Sequence, residues 1–375
     1  MQTTREKRRR TTALLVALPV FGIFRSAHAA DAIARPAAGF MADPRAVGLS
    51  VGVIRAGTAS TYHVGTAGTG RPVADDRTLY PIASLTKTFT GTLLAQAHLD
   101  GKLALDDDIR RHLDGDYPNL AFEGQPIRIH HLVNHVSGLP RLLPEVPESA
   151  PDFPSDVPYP QRLRAIVARS TRADFYAGLH RVTLAAPPGT RFAYSNAAAQ
   201  LAGYILERVH GAPFETLVRE RIAAPLRMPD TCIALTAGQR SRLADGYEAG
   251  QRQPEFPEQM QAAGALKSTL ADLLAYARWH LAEQDPAVRL AHQPTDHVGD
   301  YTAGLNWQIL QEGGRRVLFQ DGTLPGYASM LVLYPDNGMA IVVLSNEIDA
   351  GTVDRLRTLV NGIARTLDGA APAVP

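Results

Sequence analysis

Ile82-Ala83-Ser84-Leu85-Thr86-Lys87-Thr88-Phe89 opens a helical pattern: Phe89, Leu93, Leu94 and Ala97 recur at i, i+4, i+5 and i+8, and Asp100-Gly101 closes it. Residues i and i+3 share one helix face, so the Ser84 hydroxyl and the Lys87 amine fall within hydrogen-bond reach. A serine hydroxyl is a weak nucleophile until a base takes its proton, and a desolvated lysine can do so. A helix N-terminus adds free N–H groups and positive dipole where an oxyanion would form. The bare S-x-x-K spacing is common on protein surfaces, but composition sharpens it here. The chain has 34 Arg and only four Lys, of which Lys87, Lys102 and Lys267 follow residue 29. Arginine serves wherever a surface cation suffices, and it cannot act as a base, so a lysine at this position stands out.

Working outward, Val47–Ile54 and Ser60–Val64 read as strands joined by a glycine-containing turn. Residues 105–137 hold short helical pieces. Residues 140–160 contain seven prolines, which exclude helix and central strand and suggest a long ordered loop beside a site. Residues 196–221 form an amphipathic helical region, and Thr269 with Asp272 suggests a capping box opening a helix to about Leu281. In the last third, Leu305–Leu310, Arg316–Phe319, Ala328–Tyr334 and Met339–Leu344 are strand-like runs separated by Gly-Gly, Pro-Gly and Asp-Asn-Gly turns. A helix over about Val353–Leu367 follows. Strands at both ends with helices between predict an α/β, two-domain (α+β) fold. Its antiparallel sheet is built from residues 30–104 and 300–375 and flanked by helices, and a mostly helical domain, residues 105–299, is inserted in it.

Two further motifs carry chemistry. Tyr194-Ser195-Asn196 follows Pro187-Pro188-Gly189 and precedes a helix, which Ser195 or Asn196 would cap. A tyrosine beside a lysine cation is expected to have a depressed pKa and to shuttle protons, and a carboxamide can hold a substrate amide. Gln320-Asp321-Gly322-Thr323 lies in the late strand region and, taken alone, reads as a turn.

In this order and spacing the three motifs resemble the serine β-lactamase and penicillin-binding superfamily. Tyr rather than Ser at the head of the middle motif is similar to its class C β-lactamase, DD-peptidase and esterase branch. Val136-Ser137-Gly138-Leu139-Pro140, Ala265–Asp272 and Pro325-Gly326-Tyr327-Ala328-Ser329 resemble further segments of that branch, so the likeness runs from about Val47 to Asn346. The wording of residues 186–196 is similar to the periplasmic D-Ala-D-Ala carboxypeptidase/endopeptidase group. The resemblance implies a serine β-lactamase-like fold with Ser84 as acylated nucleophile, Lys87 and Tyr194 as general-base pair, and Asn196 on the substrate amide. It also implies an oxyanion hole from the N–H groups of Ser84 and Thr323, with Gln320, Gly322 and Thr323 along the substrate. Neither metal nor organic cofactor is called for.

One position departs from the pattern. The third motif usually begins with Lys or His, which suits a substrate carboxylate; here Gln320 is neutral and Asp321 follows it. A hydrogen bond to a charged partner contributes about 1.5–3 kcal/mol against about 0.5–1.5 for a neutral one, so carboxylate recognition falls by roughly 5–30-fold. Lys267 or an arginine is left to supply the charge. The expected function is therefore an acyl-enzyme serine hydrolase on D-Ala-ended cell-wall peptides. The alternatives are β-lactam hydrolysis, hydrolysis of uncharged esters or amides, and a non-catalytic scaffold that keeps the fold.

Composition bounds the setting. Of 375 residues, 45% are apolar and 20% charged, which excludes disorder and coiled coil. Residues 1–29 hold six basic side chains against Glu6 alone, which leaves 32 basic and 36 acidic residues beyond them and argues against a nucleic-acid partner. Those 29 residues show the basic, apolar and Ala27-His28-Ala29 order of a secretory signal peptide, with a 12-residue apolar run too short to span a bilayer. The mature chain is expected in the periplasm or outside the cell, without an integral membrane segment, acting on a small molecule or a peptidoglycan peptide. Cys232 is the only cysteine, so no intrachain disulfide forms and the fold relies on its core. His131 and His135 lack the Glu of H-E-x-x-H and read as structural, as do Asp106-Asp107-Asp108.

Overall fold

The computed structural model describes residues 27–145, 159–369 and 371–375. Most of the leader-like segment and residues 146–158 of the proline-rich stretch lie outside the described residues. The main sheet has eight antiparallel strands: β1 (Gly48–Arg55), β2 (Thr58–Gly65), β3 (Asp296–Val298), β4 (Tyr301–Ala303), β5 (Gln308–Glu312), β6 (Arg315–Leu324), β7 (Tyr327–Tyr334) and β8 (Met339–Ser345). Their order is β2-β1-β8-β7-β6-β5-β4-β3, so the first hairpin closes onto the last strand. Leu49 pairs with Ser345 and Arg55 with Met339 in that junction.

Strands β7 and β8 are buried along their whole length, which is why their sequence is a continuous apolar run rather than an alternation. The period of two still operates: Met330, Val332, Ile341 and Val343 enter one core, and Leu331, Leu333, Val342 and Leu344 the other. The first core lies under α1 (Ala27–Met41) and α5 (Thr352–Leu367), through Ile33, Phe40, Leu356 and Val360. The second faces α2 (Thr86–Leu99), α3 (Asn196–His210) and α4 (Leu270–Ala282). Phe89 of α2 stacks on Tyr276 of α4 with ring centroids 4.0 Å apart.

Two glycines allow this packing. A Cβ at Gly52 would sit 2.9 Å from Leu274, and one at Gly91 would meet the Leu305 carbonyl oxygen at 2.0 Å. Helix α2 thus rests its backbone on the loop that leads into β5.

The structure refines several expectations. Helix α1 adds an element that the sequence pattern does not announce; it begins at Ala27, so the expected cleavage point lies in its first turn. The helical region 196–221 is broken at Gly211, which takes a left-handed φ of 69° before Pro213. Thr269 caps α4 through the Asp272 N–H at 3.2 Å, but the Asp272 carboxylate accepts from Asp230 and Thr231 instead of completing a box. Gln320–Thr323 is not a turn: it lies inside β6, paired with residues 328–331 of β7. Pro160 sits in the first turn of the helix Tyr159–Arg169, where a missing N–H is tolerated. Among the described residues, no helix is long and apolar enough to cross a membrane.

Candidate active site

A short strand, Leu79–Pro81, delivers the chain to a tight turn at Ala83–Leu85, from which α2 departs. Three ties fix that turn. The Ile82 N–H donates to the Leu266 carbonyl at 2.9 Å, and the Ser329 hydroxyl donates to the Ile82 carbonyl at 2.8 Å. The third is β6 itself, which passes so close that a Cβ at Gly322 would lie 2.7 Å from both Ser84 N and Ile82 O. Ala83, buried, has φ 49°, a left-handed value that a non-glycine residue holds only when its surroundings impose it.

Ser84 Oγ accepts a hydrogen bond from Lys87 Nζ at 2.9 Å and shares one with Tyr194 Oη at 2.6 Å. Lys87 is fully buried, and its amine also donates to the Ala263 carbonyl at 2.5 Å. Burial, with the positive charge of Arg141 second, lowers its pKa to about 7 against a weaker pull from Asp321. Tyr194 runs the other way. Burial pushes its phenol up to about 12, so the depressed value expected from a neighbouring lysine is not found: desolvation of the phenolate outweighs the Ser84 hydrogen bond and the charge of Arg141.

Tyr194 is held from behind by His135, whose ring lies 4.3 Å away, and Ser195 N donates to His135 Nδ1 at 3.3 Å. Burial first and Lys87 second bring His135 down to about 3, so it stays neutral. Ser195, rather than Asn196, caps α3: its hydroxyl accepts from Ala198 N at 2.9 Å and donates to the Pro140 carbonyl at 2.6 Å. Asn196 is the first residue of the helix and faces the cleft.

The cleft has a volume of about 280 Å³ and brings together Ser84, Tyr194, Asn196, Gln320, Asp321 and Thr323. Lys87 lies beneath it and Gly322 behind it. Lys267 does not supply the missing cation: it is buried in a short strand and bound to Glu258 at 2.6 Å and to the Ile233 carbonyl at 2.7 Å. Arg141 does line the cleft, its guanidinium 5.5 Å from the Tyr194 ring centroid. Sequence reasoning missed Arg141, Asn306 and Gln308. Arg141 directly follows the Ser-Gly-Leu-Pro segment, a signal that was available; Asn306 and Gln308 had none.

A second cavity, about 370 Å³, borders Asn196 on its far side, with Leu143, Val167, Phe175 and Met260 in its walls. His131 is buried, with Nδ1 accepting from Arg128 N at 3.1 Å. Ring nitrogens of His130 and His131 and the Asp296 carboxylate do gather within 4.8 Å of one another, but His130 Nδ1 already meets Asp296 at 2.9 Å.

The family model described as Beta-lactamase matches residues 33–362. The chain belongs to that family. It is 26% identical over 346 residues to a beta-lactamase of Pseudomonas fluorescens, covering 80% of this chain and 88% of that one. It is 29% identical over 290 residues to putative beta-lactamase-like 1 of Homo sapiens, and 26% identical over 283 residues to protein flp of Staphylococcus aureus (strain N315). These matches cover 72% and 73% of this chain but only 54% of each relative. Among solved structures, a class C beta-lactamase superposes with TM-score 0.77 at 21% identity over 92% of this chain and 97% of that one. The Yersinia pestis beta-lactamase/D-alanine carboxypeptidase does so with TM-score 0.73 at 23% identity, over 91% of this chain and all of that one. The fold expected from the sequence is therefore the observed one.

Proposed function

We propose that this chain is an exported serine hydrolase that cleaves amide or ester bonds through a covalent acyl-Ser84 intermediate, acting on cell-wall-type peptides. The observation that carries the proposal is the position of Ser84 Oγ between a lysine brought down to about 7 and a tyrosine kept protonated. The acid and base assignments follow from that split.

Neutral Lys87 takes the Ser84 proton as Oγ attacks the carbonyl carbon. Charge gathers on the carbonyl oxygen, for which the N–H groups of Ser84 and Thr323 are the proposed donors. Collapse breaks the bond to the leaving group, which receives the Tyr194 proton; the Lys87 ammonium then returns one to the phenolate. In the second half, water passes a proton to the Lys87–Tyr194 pair while attacking the acyl carbon, and Ser84 is released. Asn196 holds the amide on the acyl side. The basic, apolar and small-residue order of residues 5–29 supports export. The peptide substrate draws support from the Yersinia pestis structural neighbour, which is named a D-alanine carboxypeptidase as well as a beta-lactamase. β-Lactam hydrolysis by the same route is the second reading, favoured by the name of the Pseudomonas relative.

The test is a time course of intact mass with a penicillin and, separately, with a fluorophosphonate, using Ser84→Ala as control. A lasting penicillin adduct on wild type alone supports the peptidase reading; drug consumed with only a transient adduct supports the lactamase. Fluorophosphonate labelling that survives Ser84→Ala would overturn the mechanism.

A further inference from the structure

Three carboxamides, Asn306, Gln308 and Gln320, line the sheet end of the cleft. Asn306, only 4% exposed, lines the cleft, yet its side-chain oxygen and nitrogen have no hydrogen-bond partner among the described residues. Leaving such groups unmet costs about 1–3 kcal/mol, and buried orphans of this kind are rare in native folds. Beside it, Gln308 Nε2 donates to Gln320 Oε1 at 3.4 Å, so the two amides form one tier. Asp321, next in the strand, is half-buried and lines the cleft, and its carboxylate makes no hydrogen bond or ion pair with another described residue. The cation of the cleft, Arg141, stands against Tyr194 instead.

A free carboxylate brought to this wall would face the Asp321 carboxylate, while the cation that lines the cleft, Arg141, stands against Tyr194. An uncharged amide carries both a donor and an acceptor, which is what an orphaned carboxamide can satisfy in pairs. We infer that the sheet end of the cleft binds an uncharged carboxamide or continuing peptide group of the substrate and turns away a free carboxylate. The inference rests on the proposed acyl-Ser84 chemistry and names its substrate: a peptide cleaved at an internal bond or before a neutral terminus. Asn306 reads the amide directly, Gln308 and Gln320 hold the tier flat, and Asp321 excludes the acid.

Competition at Ser84 tests this without requiring turnover. Two ligands, an N-acyl-D-alanyl-D-alaninamide and the same compound ending in a free carboxylate, are compared for slowing fluorophosphonate labelling of Ser84. The amide is expected to compete at least about tenfold more effectively on wild type. Asn306→Gly suits the left-handed φ of 63° and removes the carboxamide together with its methylene, so it should bring the ratio near parity with an unchanged melting temperature. Asp321→Thr should improve competition by the acid alone. Equal or better competition by the acid on wild type, above all if lost in Arg141→Gln, would overturn the inference, as would an unchanged ratio in Asn306→Gly. Failure of both ligands at about 10 mM would also overturn it. Failure of Ser84 to label at all would instead defeat the proposed function beneath it.

Discussion

The lysine beneath Ser84 makes a quantitative demand on the pH dependence of acylation. At its ordinary value of 10.5, a lysine at pH 7 is neutral in about 0.03% of molecules; at about 7 it is neutral in about half, roughly a thousandfold more free base. The rate constant kcat/KM for a neutral chromogenic ester should therefore climb about tenfold per pH unit up to about 7 and level off by about pH 8. Lys87→Met keeps an apolar stem in the buried slot and removes the amine. It should lower kcat/KM by about 10³ or more and erase the limb. Because burial of the charged amine opposes folding, the same variant should melt no lower than wild type. Two charges in the cleft must move the limb in opposite directions. Arg141→Gln removes a repulsion and should raise its midpoint, while Asp321→Asn removes an attraction and should lower it. Each shift should be about half a unit or less, because exposed Arg141 and half-buried Asp321 are screened. The profile is measured from pH 5 to 9 at constant ionic strength. A flat profile over that range, or a rise that is still tenfold per unit at pH 9, would refute the assignment of Lys87 as the base.

Other consequences are more local. Gly322→Ala sets a methyl 2.7 Å from Ser84 N and Ile82 O, so it should cost about 2–3 kcal/mol in denaturant unfolding and most of the Ser84 labelling rate. Ser195→Ala removes the cap of α3 and its tie to Pro140, with an expected loss of about 1 kcal/mol by the same assay. Acid should destabilise the fold early. His131, His135, His280 and His292 all have pKa values lowered by burial, to about 4 and about 3 for the first two. Below about 6.5 the unfolded chain takes up protons that the folded chain refuses, so stability falls as pH drops, by up to about 2 kcal/mol each for His131 and His135 between pH 6.5 and 5, with His280 and His292 adding in the same direction. Asp272, raised to about 6, and Glu248 and Glu347, also raised by burial, work in the opposite sense, which offsets part of the fall. Denaturant midpoints that stay level from pH 7 to 5 would contradict the buried-neutral reading of these histidines.

Much of this architecture was legible because periodicity and turn chemistry agreed. Strands β1, β2, β7 and β8 and helices α2 and α5 fall within a residue or two of their expected bounds, since each is a strongly patterned run closed by glycine, proline or Asp-Gly. The contact between Ser84 and Lys87 was legible for a different reason: they are neighbours on one helix turn, so local spacing alone put them in reach, whereas Tyr194 came only with the family resemblance. What stayed hidden depends on neighbours far along the chain. Asp321 and Gln320 read as a turn because nothing local says that β7 continues the ladder past them. The direction of the Tyr194 shift could not be read, because burial is a property of packing and not of the tripeptide. Asn306 was invisible since its meaning lies in the partners it lacks.

The same burial explains why this site can hold both an acid and a base. Removing water from Lys87 and Tyr194 penalises the charged form of each, but those forms have opposite sign, so the amine is driven down and the phenol up. A lysine in water at pH 7 would be fully charged and useless as a base. In this slot, with an acceptor at the Ala263 carbonyl and no carboxylate in contact among the described residues, its pKa comes down to about 7. A carboxylate hydrogen-bonded to Lys87 would pin it as an ammonium and abolish the poise. Asp321 is near enough to be felt and far enough not to pair. If the proposed substrate preference holds, Gln320 in the usual cation position and Asp321 beside it would change which substrate end is accepted without touching the Ser84–Lys87–Tyr194 contacts.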